Sequence, residues 1–283
     1  MSSNPLTPDT AEPAADATVP LVALRGISKS FGPVHALTRV DLDVPPAQVT
    51  ALAGDNGAGK SVLIKTIAGL WQPDEGQILW EGQPVRPRTP RQAEELGITT
   101  IYQDLALCDN LDIVQNVFLG HEPRRHGLLD EATMEQSARQ TLNELSVTTV
   151  RSIRQPVLSL SGGQRQSVAV AKALMAKSKL VIMDEPTAAL GVSQTTMVLD
   201  LIKSLAHSGV AVILISHNLN NVFAVADQIA VLHLGRLVAS GPASQFDAQV
   251  IVDYMTTGRS ERPLVANGTA DLSVSREEES NDG

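Results

Sequence analysis

The run Gly54-Asp55-Asn56-Gly57-Ala58-Gly59-Lys60-Ser61 constrains this chain more than any other stretch. It follows Val49–Ala53, an apolar run that reads as a buried strand. It precedes Ser61–Leu70, whose apolar spacing is helical. A strand, a glycine-rich turn and a helix start, in that order, make a pocket for phosphate. The glycines let the backbone turn tightly and come close to phosphate oxygens. Successive N–H groups then form an anion nest at a helix N-terminus. Lys60 is placed to pair with the β- and γ-phosphates of a nucleoside triphosphate, and the Ser61 hydroxyl to ligate Mg²⁺.

A second segment completes that chemistry. Leu180-Val181-Ile182-Met183-Asp184-Glu185 carries two carboxylates out at the end of an apolar strand, where open α/β sheets bind ligands. Asp184 is expected to hold Mg²⁺, directly or through water, and Glu185 to polarise the attacking water. Together the two segments imply hydrolysis of ATP or GTP, without stating its purpose.

The rest of the chain fits an α/β core. Leu21–Leu24 and the alternation Val40, Leu42, Val44 read as strands, as do Ile98–Tyr102 and Val210–Ile215. Ile229–Leu232 and Leu237–Ala239 flank Gly235 as a late hairpin. Between about 105 and 178 the pattern changes to helical windows, Glu131–Leu145 and Gly163–Lys177, with a polar stretch at Glu122–Gly127. The expectation is a nucleotide-binding sheet with a helical insertion.

The formal net charge of −9 misdescribes this core. Residues 1–20 hold three acids and no base, and 260–283 hold six acids and two bases. The stretch between is close to neutral, so no basic excess points to nucleic acid or an anionic membrane surface as the main partner. Both ends lack apolar periodicity and read as disordered tails. The start shows no cationic and apolar leader, and no apolar run approaches the ~18 residues that span a bilayer. A single cysteine, Cys108, fits a reducing compartment.

Leu160-Ser161-Gly162-Gly163-Gln164 opens the second helical window. Ser161 suits an N-cap, and the glycines leave N–H groups exposed, so this is a second candidate anion site on a different element. With this run just before the Asp184 strand, the chain resembles the ATP-binding cassette (ABC) family, whose signature it matches. The resemblance spans about 21–259. It implies a P-loop NTPase (RecA-like) parallel-sheet core with an N-terminal antiparallel β subdomain. It also implies an α-helical subdomain inserted at about 104–178, within one ATPase domain flanked by tails 1–20 and 260–283. Further residues match the family singly. Phe31 is similar to the aromatic that stacks on adenine. Gln103 is similar to the glutamine that touches Mg²⁺ or water and links to the helical subdomain. His217 is similar to the histidine that contacts the γ-phosphate. Two positions depart from the pattern. Gly191 stands where an aspartate is usual, and Val62 where a threonine would add a hydroxyl near the α-phosphate.

The stretches Tyr102–Leu111 and Asn116-Val117-Phe118-Leu119-Gly120 resemble the monosaccharide-importer branch, as does Thr187–Gly191. The resemblance implies ATP and Mg²⁺ as cofactors. It also implies a head-to-tail dimer with a second copy or a paralogous cassette, integral membrane permease subunits, and indirectly a secreted sugar-binding protein. The chain would then sit peripherally on the cytoplasmic face of the membrane. In that dimer Ser161, Gly162, Gly163 and Gln164 of one chain meet ATP held by the phosphate loop of the other. Other readings within the family are an importer for another solute, an exporter ATPase, and a soluble non-transport ATPase. Against the last, Lys60 and Ser161 lie only 101 positions apart, with no heptad run between them.

Overall fold

The computed structural model describes residues 19–102, 105–145, 150–188 and 190–262 of the chain. Most of the two tails, and with them their expected disorder, lie outside the described residues.

The chain opens as an antiparallel sheet. β1 (Val22–Phe31) pairs with β2 (Val34–Val44) on one side and β4 (Glu75–Trp80) on the other, and β5 (Gln83–Val85) extends β4. One face of this sheet is apolar, and Val22, Leu24, Ile27, Val40 and Val44 are fully buried. Between β2 and β4 the chain crosses to the second sheet as β3 (Val49–Gly54) and returns through α1 (Lys60–Ile67). All of β3 is buried, as its uninterrupted apolar run demands when both faces of a parallel sheet are covered.

After β5 a short α2 (Pro90–Leu96) leads into β6 (Ile98–Ile101). Pro90 occupies the first helical position and Thr89 caps it, accepting from Gln92 N. The helical section follows. α3 (Ile113–Phe118), a two-by-two hairpin of β7 (Arg124–Arg125) and β8 (Leu128–Leu129), α4 (Glu131–Glu144) and α5 (Gly162–Met175) lie between β6 and β9 (Leu180–Asp184). The polar stretch at Glu122–Gly127 thus contributes a hairpin. The chain finishes with α6 (Val192–His207), β10 (Ala211–Ile215), α7 (Leu219–Val225), β11 (Gln228–His233), β12 (Arg236–Pro242) and α8 (Ala248–Thr257).

The larger sheet runs in the order β12-β11-β3-β10-β9-β6. Every pairing from β11 to β6 is parallel, and only the edge strand β12 is antiparallel. The C-terminal ends of β3, β9 and β10 therefore open on one side of the sheet. Apolar side chains pack in three clusters. One joins the helical section to the sheet, one joins the antiparallel sheet and α1 to it, and one lies under α7 and α8.

Candidate nucleotide site

Two glycines of the phosphate loop have no alternative. Gly54 ends β3 at φ 155°, and a Cβ there would lie 2.6 Å from the Leu232 carbonyl oxygen. Gly59 caps α1 at φ 103°, and a Cβ would lie 2.7 Å from the Ala36 carbonyl oxygen. The loop is thus pressed from behind by β11 and from the side by β2. The turn between β11 and β12 locks it further. Gly235 N donates to Ala58 O at 3.0 Å, and Thr38 N donates to Gly235 O at 2.8 Å. No motif announced this contact; only the two-residue turn Leu234–Gly235 hinted at it.

Lys60 begins α1 and turns back over the loop, donating from Nζ to Gly54 O at 2.5 Å and to Asp55 O at 2.9 Å. Burial lowers its pKa, and the carboxylates of Glu185, Asp55 and Asp184 oppose that shift. Asp55, Asn56, Gly57, Gly59, Lys60, Ser61 and Val62 line a cleft of about 540 Å³ together with Asp184 and Glu185. Ala58 is buried behind them.

The register of β9 against β10 sets the opposite wall. Asp184 pairs with Ile215, so the residues following the two strands emerge side by side. Burial and the neighbouring Glu185 raise the pKa of Asp184, while Lys60 and Lys65 lower it. Glu185 lies at φ 51°, held by its N–H donating to Ile215 O at 3.0 Å. His217, two residues beyond β10, places Nδ1 2.9 Å from Glu185 Oε2. That pair joins residues 32 apart, and the sequence gives no local sign of it.

Other expected site residues lie elsewhere. Ser161 caps α5 in a reciprocal box. Its Oγ accepts from Gln164 N, and Gln164 Oε1 accepts from Ser161 N at 2.9 Å. Gly162 sits against the segment after Glu185, where a Cβ would lie 2.6 Å from Leu190 Cδ2. Gly163 faces Gln194 and Met197 of α6. Gly162 and Glu185 border a second cleft of about 210 Å³. The signature glycines therefore serve packing within the chain, and Gly163 is itself buried. Phe31 is exposed at the end of β1 and stands outside the wall of the phosphate cleft, which begins at Val34. Gln103 lies outside the described residues.

The donor set suits a small hard cation. One hydroxyl, Ser61, lines the same cleft as the strand-end carboxylates Asp184 and Glu185 and the loop carboxylate Asp55, and among the described residues no group of three or more His, Cys, Asp or Glu gathers closely enough to hold a metal by itself. Mg²⁺ is held in this way, by one or two carboxylates plus substrate phosphates and water.

A parallel sheet carrying a phosphate loop and a strand-end carboxylate pair defines a P-loop nucleotide-binding protein. The family model described as "ABC transporter" matches residues 37–188, and the chain belongs to that family. It is 47% identical over 254 residues to the fructose import ATP-binding protein of Rhizobium meliloti, covering 87% of this chain and 97% of that one. It is 41% identical to the xylose/arabinose import ATP-binding protein of Sulfolobus acidocaldarius, over 84% of this chain and 94% of that one. A ribose import ATP-binding protein of Rubrobacter xylanophilus is 41% identical over 85% of this chain, which spans 48% of that relative. Among solved structures, an ATP-binding cassette of an ABC transporter superposes with TM-score 0.74 at 26% identity, covering 84% of this chain and 97% of that one. A nucleotide-free cassette gives 0.69 at 25% identity, covering 78% and 91%.

Proposed function

We propose that this chain is the ATP-hydrolysing subunit of a monosaccharide importer. The observation that carries the reading is its 47% identity to a fructose import ATP-binding protein over nearly the whole of both chains. The phosphate loop, the carboxylate pair and the capped α5 supply the chemistry that such a subunit needs.

The phosphate loop holds the triphosphate through backbone N–H groups of Gly57, Gly59 and Lys60, with Asp55, Asn56 and Ala58 shaping the turn and Val62 following it into α1. On binding, Lys60 Nζ exchanges its loop carbonyl partners for the β- and γ-phosphates, which suit an ammonium better than neutral oxygens do. Ser61 and Asp184, with Gln103, would hold Mg²⁺, which supplies charge neutralisation at the phosphates. Glu185 orients and polarises a water for attack on the γ-phosphate. His217, with Nδ1 2.9 Å from Glu185 Oε2, has its other ring nitrogen available for a phosphate oxygen. Phe31 offers the base a π-face.

The signature run of one chain, Ser161 to Gln164, reaches the γ-phosphate held by a second copy or a paralogous cassette. ATP then makes contacts in the closed pair that ADP lacks, and only such differential contacts shift an equilibrium. Among the described residues no helix is long and apolar enough to cross a membrane. The chain works from the cytoplasmic face, on permease subunits fed by a secreted sugar-binding protein.

Glu185→Gln tests the central role. The variant is expected to bind ATP, to hydrolyse it about 10²-fold or more slowly, and to accumulate as an ATP-bound dimer on size exclusion. Hydrolysis at the wild-type rate would overturn the assignment.

A further inference from the structure

We propose that Trp71 is a positioning residue of the nucleotide site, holding the Phe31 ring as a platform for the base. The inference rests on the reading of Phe31 as that platform.

Phe31 needs holding. It is the last residue of β1 and 41% exposed, and Gly32 turns the chain away at φ 57°. The ladder between β1 and β4 ends at Ser28, paired with Glu75. Beyond that point, on the β4 side, Asp74 replaces the sheet. It accepts from Ser30 N at 2.7 Å and from Lys29 Nζ at 2.7 Å, while its own N–H donates to Ser28 O at 2.9 Å. These bonds fix the backbone and leave the phenyl ring to its rotamers.

Trp71 supplies the missing constraint. Its ring meets Phe31 edge to face, with centroids 4.7 Å apart and planes inclined at 67°. Lys29 Nζ lies 5.5 Å from the Phe31 centroid, and Lys65 Nζ lies 4.9 Å from the Trp71 centroid. Trp71 N donates to Lys65 O at 3.2 Å. A row of Lys29, Phe31, Trp71 and Lys65 therefore runs from the end of β1 to the last turn of α1, the helix whose first residue is Lys60. Neither aromatic ring belongs to the buried core clusters. Two half-exposed rings held against each other, each with a cation over one face, fix the still-exposed part of Phe31 as a stacking surface in a set relation to the phosphate-binding helix. A ring ordered in advance spares the base that cost on binding.

Steady-state ATPase kinetics on the full chain test this. Trp71→Leu should raise the KM for ATP about three- to tenfold while kcat at saturation holds, and Trp71→Tyr should restore the wild-type KM. Inorganic tripolyphosphate has no base, so its inhibition constant should be the same in wild type and Trp71→Leu. A KM within about twofold of wild type in Trp71→Leu, where Phe31→Ala raises it, overturns the proposal. So does an equal rise in the tripolyphosphate constant, which marks a disturbed α1. An unchanged KM in Phe31→Ala removes the base platform itself, and this inference with it. The wild-type protein provides a check that needs no variant. Trp80 is buried, so Trp71 is the solvent-facing indole. ATP should change its emission and tripolyphosphate should not; equal responses to both overturn the proposal.

Discussion

Gly191, at a position where the resemblance leads one to expect an aspartate, is a residue the structure can judge. It is the N-cap of α6, at φ −71° and ψ 165°, with no side-chain cap bond. A Cβ there meets nothing within 4 Å. An aspartate would fit without strain, cap the helix and face the start of a macrodipole. Gly191→Asp is therefore expected to raise stability by a few tenths of a kcal/mol. Chemical denaturation, by a shifted midpoint at constant slope, checks it. The same comparison shows what the sequence made legible. The phosphate loop could be read because its demands are local: positive φ at fixed spacings, a strand before and a helix after. Gly162 could not be read so fully. Its contact with Leu190 arises only when α5 packs on the segment after β9. The pairing of His217 with Glu185 likewise needs β9 and β10 to be neighbours.

The helical section shows how a few polar residues organise an element. Asn116, in α3, is fully buried and fully satisfied. Its Oδ1 accepts from Cys108 N at 2.7 Å, and its Nδ2 donates to the carbonyls of Cys108, Leu111 and Asp112 at 2.9, 3.2 and 3.0 Å. One side chain thus shapes the turn that follows the Gln103 region. Asn116→Ala leaves the half-buried Cys108 N–H without its acceptor, while the three carbonyls keep backbone donors from Leu111, Val157 and residue 116 itself, at a cost of roughly 1–3 kcal/mol. Hydrogen exchange is expected to rise first at 108–118. Arg154 ties the same region together, bridging Asp112 of the α3 cap to Glu131 and Glu135 of α4. At the other end of the molecule Asp74 joins β1 to the loop after α1. The Lys29 ammonium, then the Ser30 N–H, hold its carboxyl below the usual carboxylate range. A lowered value means stability that is complete above that range and is lost as pH falls through the native pKa. Asp74→Asn and wild type should therefore melt apart at neutral pH and converge in acid. Thermal scans against pH read this directly. Elements with long apolar runs, β3, β9 and β10, were plain from the sequence. The hairpin of β7 and β8 was not, because two-residue strands with exposed side chains carry no periodicity.

At the level of the whole molecule, the sheet's order brings three strand ends to one edge, and everything that would touch phosphate within the chain gathers there. The cap of α5 lines no part of that cleft; Gly162 instead borders a separate one with Glu185 and packs on Leu190 of the segment after it. On the proposed reading each site is incomplete in a single copy, which makes the dimer the expected working form. A two-fold pair would set each α5 against the other chain's loop, closing two equal sites at once.

The packing of Leu190 over Gly162 has a consequence for inheritance. If the cap of α5 serves the partner while Glu185 serves its own chain, a damaged copy is never silent in a mixed pair. A Glu185→Gln product still lends a sound Ser161 to its neighbour and still occupies that neighbour. With equal expression and random pairing, about one quarter of pairs would keep two intact sites and about one half would keep one. Half of all sites would then stay intact, in proportion to the sound copies, because a lesion at Glu185 removes only its own site and spares the neighbour's.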